Sequence, residues 1–380
     1  MRMSRLLNGA ALGALLIASN AYAADTEAAT EEEAPVGYPF VEGTAYIEFG
    51  DDYIFATRPD DPDCEIKDLY FYGTLDLKFG LTPILSVNAG ITGDDMLGEY
   101  VPGQNRALKD FGIYMHALNV QADVGNASFL AGKFHPKSGL AWDVTPGVFG
   151  TYFAEDYELT EMVGASGSYT FSSDTMGSHT LGAAVFFADI SFLSDSIITR
   201  RGRRIVDDGG AANTEKLNNF VVWLEGSEIP NLAGLNYQLS YRHLAAGTDG
   251  VADENAFIAG VYKDTELSNG DTLSLMGEIA HLQNAGGYDY DTTYFTAGAA
   301  YYKGQWHGEL SGTIRKYHYS DDSSSTDKLL QVSGGYTFEN GFDIAAGYGY
   351  QRIFDGVADD IGYHTVGLRL TKTFEFGTNK

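Results

Sequence analysis

Leu69-Tyr70-Phe71-Tyr72-Gly73-Thr74-Leu75-Asp76-Leu77-Lys78-Phe79 divides by position. In an extended chain Leu69, Phe71, Leu75, Leu77 and Phe79 fall on one face, and Tyr70, Tyr72, Thr74, Asp76 and Lys78 on the other. One face is apolar and the other is polar. The split recurs from Leu235 to His243, where Leu235, Tyr237, Leu239 and Tyr241 oppose Asn236, Gln238, Ser240 and Arg242. It recurs again from Trp306 to Tyr317, where Trp306, Leu310 and Ile314 oppose His307, Glu309, Ser311, Thr313 and Arg315.

Outward from these stretches, about sixteen segments of the same kind can be marked: 40–49, 68–79, 84–92, 109–124, 127–134, 161–171, 179–190, 218–226, 234–244, 254–265, 271–282, 293–303, 305–319, 328–338, 342–354 and 362–376. Their length, near ten residues, suits a strand tilted across a hydrocarbon layer, whereas soluble strands usually run to about five or six. The 380 residues include 46 Gly, 25 Tyr, 22 Phe and only 9 Pro, which fits an all-β chain and excludes collagen and low-complexity disorder. Beyond the first 20 residues no apolar run approaches the roughly 18 needed for a membrane helix.

The links alternate too. Gly80 to Pro83, Gly125-Asn126, Lys303-Gly304 and Glu339 to Gly341 read as tight turns, while 50–67, 93–108, 135–160, 191–217, 283–292, 320–327 and 355–361 are longer. Short turns on one rim and long loops on the other predict a transmembrane antiparallel β-barrel of about sixteen strands, with periplasmic turns and extracellular loops. Tyr169/Phe171, Tyr336/Phe338 and Phe374/Phe376 are same-face aromatic pairs at the ends of three segments and predict an interfacial girdle. Phe49, Tyr241, Tyr350 and Phe354 are expected near the opposite rim.

At the N-terminus, Arg2 and Arg5, the apolar Leu6 to Ala18 and the small-residue Ala21-Tyr22-Ala23 read as a signal peptide over 1–23, cleaved after Ala23. Residues 24–39 form a flexible acidic leader, 40–376 the barrel and 377–380 a C-terminal extension. The net charge of −28, more negative once Arg2 and Arg5 are removed, argues against a nucleic-acid partner. Cys64 is alone, so no intramolecular disulfide is possible.

Sixteen alternating segments, an aromatic last strand ending at Phe376 and a long third loop resemble the Gram-negative outer-membrane porins. Phe129 to Leu140, FLAGKFHPKSGL, is similar to the strand-to-loop passage of the phosphate-selective porin relatives. The chain departs from that pattern in continuing past Phe376 and in lacking a dense lysine and arginine cluster. The resemblance implies a homotrimeric, water-filled channel in the outer membrane, with a third loop folded inward. Its surroundings would be outer-membrane lipid and lipopolysaccharide, and its cargo small hydrophilic solutes and ions, moving by passive diffusion without a cofactor.

The residues fit that role. Segment 135–160 mixes Trp142, Phe149, Tyr152 and Phe153 with Gly and Pro, and aromatics need burial, so it is expected to pack on the inner wall and narrow the bore. Its charged groups are Asp143, Glu155, Asp156 and Glu158, with Lys137 and His135 at its start. Lys78, Lys133, Arg242, Arg315 and Arg369 fall on faces assigned inward, as do Asp76, Glu278, Glu309 and Asp343. Acids on the loop facing bases on the wall would set a field across the bore. Weak cation preference is expected from the acidic loop rims and the acidic constriction segment.

Two loop features have plainer readings. The Asp doublets at 51–52, 60–61, 94–95, 207–208, 321–322 and 359–360 lack calcium-loop spacing and read as a solvated acidic rim, with no metal site expected. The basic run Arg200 to Arg204 reads as self-pairing, with Asp207 and Asp208 at hand, or as contacting lipid. No H-E-x-x-H spacing, nucleophile elbow or phosphate loop occurs. Three classes therefore stand: a diffusion porin, with a substrate-specific anion or phosphate channel as its variant; a barrel enzyme, not expected; and a plugged structural barrel.

Overall fold

The computed structural model describes residues 37–97, 103–354 and 360–378. The expected signal peptide and nearly all of the acidic leader lie outside these residues. Sixteen long strands form the wall: β1 Phe40–Arg58, β2 Lys67–Gly80, β3 Leu85–Asp95, β4 Phe111–Val124, β5 Ala127–Phe134, β6 Met162–Ser173, β7 Gly177–Ala188 and β8 Asn219–Ser227 in the first half. The second half is β9 Leu235–Leu244, β10 Glu254–Glu266, β11 Thr272–Gln283, β12 Tyr290–Lys303, β13 Trp306–Tyr319, β14 Ser324–Thr337, β15 Phe342–Phe354 and β16 Asp360–Gly377. Each pairs antiparallel with its neighbours in sequence, and β1 pairs with both β2 and β16, so that Phe49 stands opposite Phe71 and Leu370. The result is a closed sixteen-stranded antiparallel transmembrane β-barrel. Closure satisfies every wall strand on both sides and removes the exposed edge that an open sheet would leave.

The barrel is inside out. On β16 Val366, Leu368 and Leu370 are exposed while Thr365 and Arg369 are buried; on β11 Leu275 and Ile279 are exposed while Ser274 and Glu278 are buried. Such a wall is stable when hydrocarbon covers its outside. At the short-turn rim Tyr169, Phe171, Phe338, Phe374 and Phe376 are all exposed. Trp306 and Tyr336 pack there with ring centroids 4.9 Å apart. The tightest turns have two residues, and in each the first, Gly125 or Gly304, takes a φ near +60° (59° and 58°), the left-handed position a II′ hairpin demands.

Several strand boundaries differ from the sequence reading, among them β3, which runs to Asp95 and so takes Asp94-Asp95 into the wall, and β14, which begins at Ser324; the two at the closing seam bear on the site. β1 runs to Arg58, so Asp51-Asp52 belongs to the wall and not to a rim loop. Pairing with β16 carries it on, and Asp52 turns inward to meet Arg369. β16 runs to Gly377, and the Thr378 N–H donates to Val41 O at 2.9 Å, so Gly377 and Thr378 continue the closing pair.

β5 is the shortest wall strand, at 8 residues. Its chain leaves the wall after Phe134 and enters the lumen. Above that point β4 would show a bare edge, and Ile197 and Ile198 from loop 189–218 fill it by pairing with Ile113 and Gly112.

Candidate channel constriction

The chain from 135 to 161 lies inside the barrel. It carries a single helical turn, α1 Ala141–Val144, and a 3-10 turn at Ala154–Tyr157. Trp142, Phe153 and Tyr157 are buried among inward residues such as Ala256, Ile258, Met276 and Tyr294, while Phe149 is buried beside Tyr152, ring centroids 5.4 Å apart, and Arg369. The wall makes room by omitting side chains. A Cβ at Gly260 would lie 2.7 Å from Leu140, at Gly298 2.5 Å from Pro146, at Gly347 2.8 Å from Val148, and at Gly349 2.8 Å from Phe149. These glycines form a track across β10, β12 and β15 into which the loop backbone settles, so van der Waals contact is gained where larger residues would collide.

Polar clamps fix the loop along that track. Glu278 on β11 accepts from the N–H groups of Leu140 (2.6 Å) and Ala141 (3.1 Å) and from the Tyr157 hydroxyl (2.6 Å). Pro146 O accepts from Ser311 (2.8 Å) and Gln331 (3.1 Å). Arg242 donates to Ser138 Oγ at 3.0 Å and to Tyr157 O, and is balanced by Glu254 at 2.8 Å. Arg315 bridges Asp156 of the loop and Asp327 of β14, the latter at 2.6 Å. Arg369 sits between Glu48 (3.1 Å) and Asp52 (2.6 Å), and the Tyr152 hydroxyl reaches Asp52 at 3.3 Å.

The wall bases therefore do a different job from the one the charge pattern suggests. Arg242, Arg315 and Arg369 do point inward, but they lie under the loop, each against carboxylates, and hold it instead of facing it across open water. The expected field between loop acids and wall bases is collapsed into contacts. Buried charges are stable only when paired in this way. Lys78 pairs loosely with Glu42 at 3.5 Å near the short-turn rim, both side chains being well exposed.

Lys133 is a correction. Its register partners are Leu118 and Val163, and it shares its face with the exposed Phe129 and Ala131, away from the lumen. Loop 189–218 covers it, and its ammonium is held by Asp189 (2.7 Å), Glu161 (2.8 Å) and Leu193 O (3.0 Å). The basic run of that loop pairs with Asp195 and Glu161 and not with Asp207 or Asp208: Arg200 Nε meets Asp195 at 2.9 Å and Arg201 meets Glu161 at 2.5 Å, its guanidinium 3.9 Å from the Tyr114 ring centre.

The remaining loop charges divide. Asp156 is engaged by Arg315 and Tyr294, and Lys137 by Glu225. Asp143, half-buried in α1, has its carboxyl pushed up to about 7 by burial; Lys137 opposes the shift and Glu278 adds to it. Burial likewise holds Glu158 well above the usual carboxylate range, against the pull of Arg242. Glu155 is half-buried on the 3-10 turn.

Across the lumen the wall is polar but differently equipped. His116 on β4 bonds Asp76 on β2 at 2.9 Å and Thr92 on β3 at 2.8 Å, and His135 stands edge-on to it at 5.4 Å. Asn88 donates to Asn119 (2.9 Å) and Gln121 (3.0 Å). The alternation pattern places these groups inward, but their association needed β2, β3 and β4 in register. The glycine track was missed in the sequence although visible there, as Gly347 and Gly349 fall on inward positions of Ala346-Gly347-Tyr348-Gly349-Tyr350.

No protein-family model matches the sequence, and no curated protein matches it. Solved structures match in fold. The outer-membrane channel DcaP of Acinetobacter baumannii is similar with a TM-score of 0.58 at 10% identity, over 89% of this chain and 99% of that one. OprB of Pseudomonas putida, in a high-pH structure, gives 0.58 at 10% identity over 88% and 94%. OmpT of Vibrio cholerae, an outer-membrane protein, gives 0.55 at 10% identity over 90% and 100%. At such identity the likeness is one of fold, and the fold is the closed sixteen-stranded barrel of outer-membrane porins and channels.

Proposed function

We propose that the chain is an outer-membrane porin, exported by a signal peptide cleaved after Ala23, through which small hydrophilic solutes and ions diffuse passively with weak cation preference. It performs no catalytic step. The observation that carries this reading is the lumenal loop: residues 135–161 are clamped to β9–β16 by hydrogen bonds and ion pairs, which narrows the bore along one side and leaves Asp76, His116 and the Asn88, Asn119 and Gln121 amides on the other. A constriction held so firmly is a filter. The preference for cations is supported by how the bases are engaged. Arg242, Arg315 and Arg369 are each matched by carboxylates, and the chain as a whole is strongly acidic. The same engagement disfavours an anion or phosphate channel, which would need unpaired cations in the bore. A homotrimer in the membrane completes the proposal.

Recording the refolded protein in a planar bilayer under a potassium chloride gradient tests the reading. Ohmic steps with a reversal potential of the sign expected for cation excess support it. Silence would point to a plugged structural barrel, and clear anion excess to the phosphate-type variant. Light scattering of the detergent complex reports the oligomer, and N-terminal sequencing of the exported protein should begin at Ala24.

A further inference from the structure

The outward face of β13, β14 and β15 carries a feature that the channel does not use. Lys316, Lys328 and Arg352 are exposed there near the long-loop rim. Lys328 stands directly opposite Arg352 on one side and Ile314 on the other, while Lys316 is two residues above Ile314 and opposite Thr326. Adjacent-strand spacing puts the Cβ of Lys328 about 5 Å from that of Arg352 and about 7–8 Å from that of Lys316, with Lys316 and Arg352, two strands apart, about 12 Å from each other, a gap that their long side chains can span. Like charges directly opposite in a sheet repel. In a chain of net charge −28, three bases on neighbouring strands are out of keeping with their surroundings.

The carboxylates nearby are few. Asp360 pairs with Arg352, and Asp291 stands opposite His318 one row above Lys316. Among the described residues neither Lys316 nor Lys328 makes an ion pair; Lys316 reaches over the Phe295 ring at 5.8 Å. Directly below the bases the surface is apolar, with Phe295, Ile314 and Leu330 all exposed. A cationic row bordering an apolar band matches a phosphate headgroup above acyl chains.

We propose that this face is a binding site for a phosphorylated lipid of the outer leaflet, its phosphate bridging Lys316, Lys328 and Arg352 and its chains lying over Ile314 and Leu330. A phosphate between Lys328 and Arg352 turns their repulsion into two charge-assisted contacts. A soluble anion would gain nothing from the apolar band. The site rests on the membrane reading above, yet it faces away from the lumen, so conductance and lipid binding can be scored separately.

Native mass spectrometry of the detergent-solubilised full chain, offered lipid A with its phosphates or after dephosphorylation, tests the site. The phosphorylated form should be retained about tenfold more strongly or better. The K316Q/K328Q variant should lose that preference and K316R/K328R keep it, with single-channel conductance unchanged in both. Equal retention of the dephosphorylated lipid, undiminished binding by K316Q/K328Q, or displacement by millimolar inorganic phosphate would overturn the proposal. Absence of conductance in the parent protein would count against the channel and leave the lipid result standing.

Discussion

The lumen side of β9–β16 and that of β2–β4 are built from the same alternating pattern, and they treat polar groups in opposite ways. Under the loop, charges are buried in pairs and glycines replace side chains, so the surface is dry and shaped to one occupant. Opposite, carboxylate, imidazole and amide groups bond to each other across strands and leave no track for a second segment. The difference teaches that inward orientation alone does not make a residue pore-lining. Half of the inner wall is the floor of a loop.

That contrast is broken most severely at Glu278. Glu278→Ala removes the acceptor of two backbone N–H groups and one tyrosine hydroxyl, all buried with the loop. Leaving such groups unsatisfied costs about 1–3 kcal/mol each. The loop should detach, so conductance rises several-fold and residues 138–158 become cleavable by protease in the intact barrel. Unchanged conductance together with a resistant loop would show that the clamp is redundant. An equivalent change across the lumen, Asn88→Ala, should leave both readouts close to the parent.

Arg315→Met ranks next. It strips Asp327, 2% exposed, of its cation and frees Asp156. Removing one partner of a buried pair costs about 3–5 kcal/mol, part of which Asp327 recovers through the Phe354 N–H at 2.7 Å. The expected outcome is a flickering current with greater cation excess, because Asp156 is left uncompensated. Unchanged cation excess would mean that the freed Asp156 carboxylate does not act on ions in the bore. Gly347→Ala is milder. Its new Cβ would meet Val148 at 2.8 Å, and overpacking of this kind costs about 1–3 kcal/mol, so the loop should shift without leaving. A small conductance change with the loop still protease-resistant checks it.

How much of this was legible beforehand follows from what alternation encodes. Period two specifies which face a residue joins, and so stretches such as Leu69 to Phe79 reveal the wall, the sixteen such segments its strand number, and Tyr169/Phe171, Tyr336/Phe338 and Phe374/Phe376 the girdle. It carries nothing about what stands in front of a face. Alternation puts Arg242, Arg315 and Arg369 on the inward face but is silent on what covers them, since their partners Tyr157, Asp156 and Asp52 arrive from sequence positions 85 to 317 residues away. Lys133 failed for a local reason. The neighbouring loop covers an outward position there, so a charge survives on a face that elsewhere is apolar.

The smallest expected effect is also the one with a sign to be read from pH. Asp143 sits in α1, and burial raises its carboxyl from an ordinary value of about 3.9 to about 7. Below 7 it is mostly neutral and above 7 mostly anionic, so cation excess should grow as pH rises from 6 to 8. Because the docked loop holds this proton more tightly than the free loop would, docking is strongest below about 4 and weakens as pH rises through about 7. Both effects run the same way: more cation excess and more current noise at pH 8. The wall opposite supplies the control, since the Asp76–His116–Thr92 group is left intact by Asp143→Asn. That variant should flatten the reversal potential between pH 6 and 8. If it leaves the titration unaltered, Asp143 is not the group that titrates, and its carboxyl contributes no selectivity to the bore.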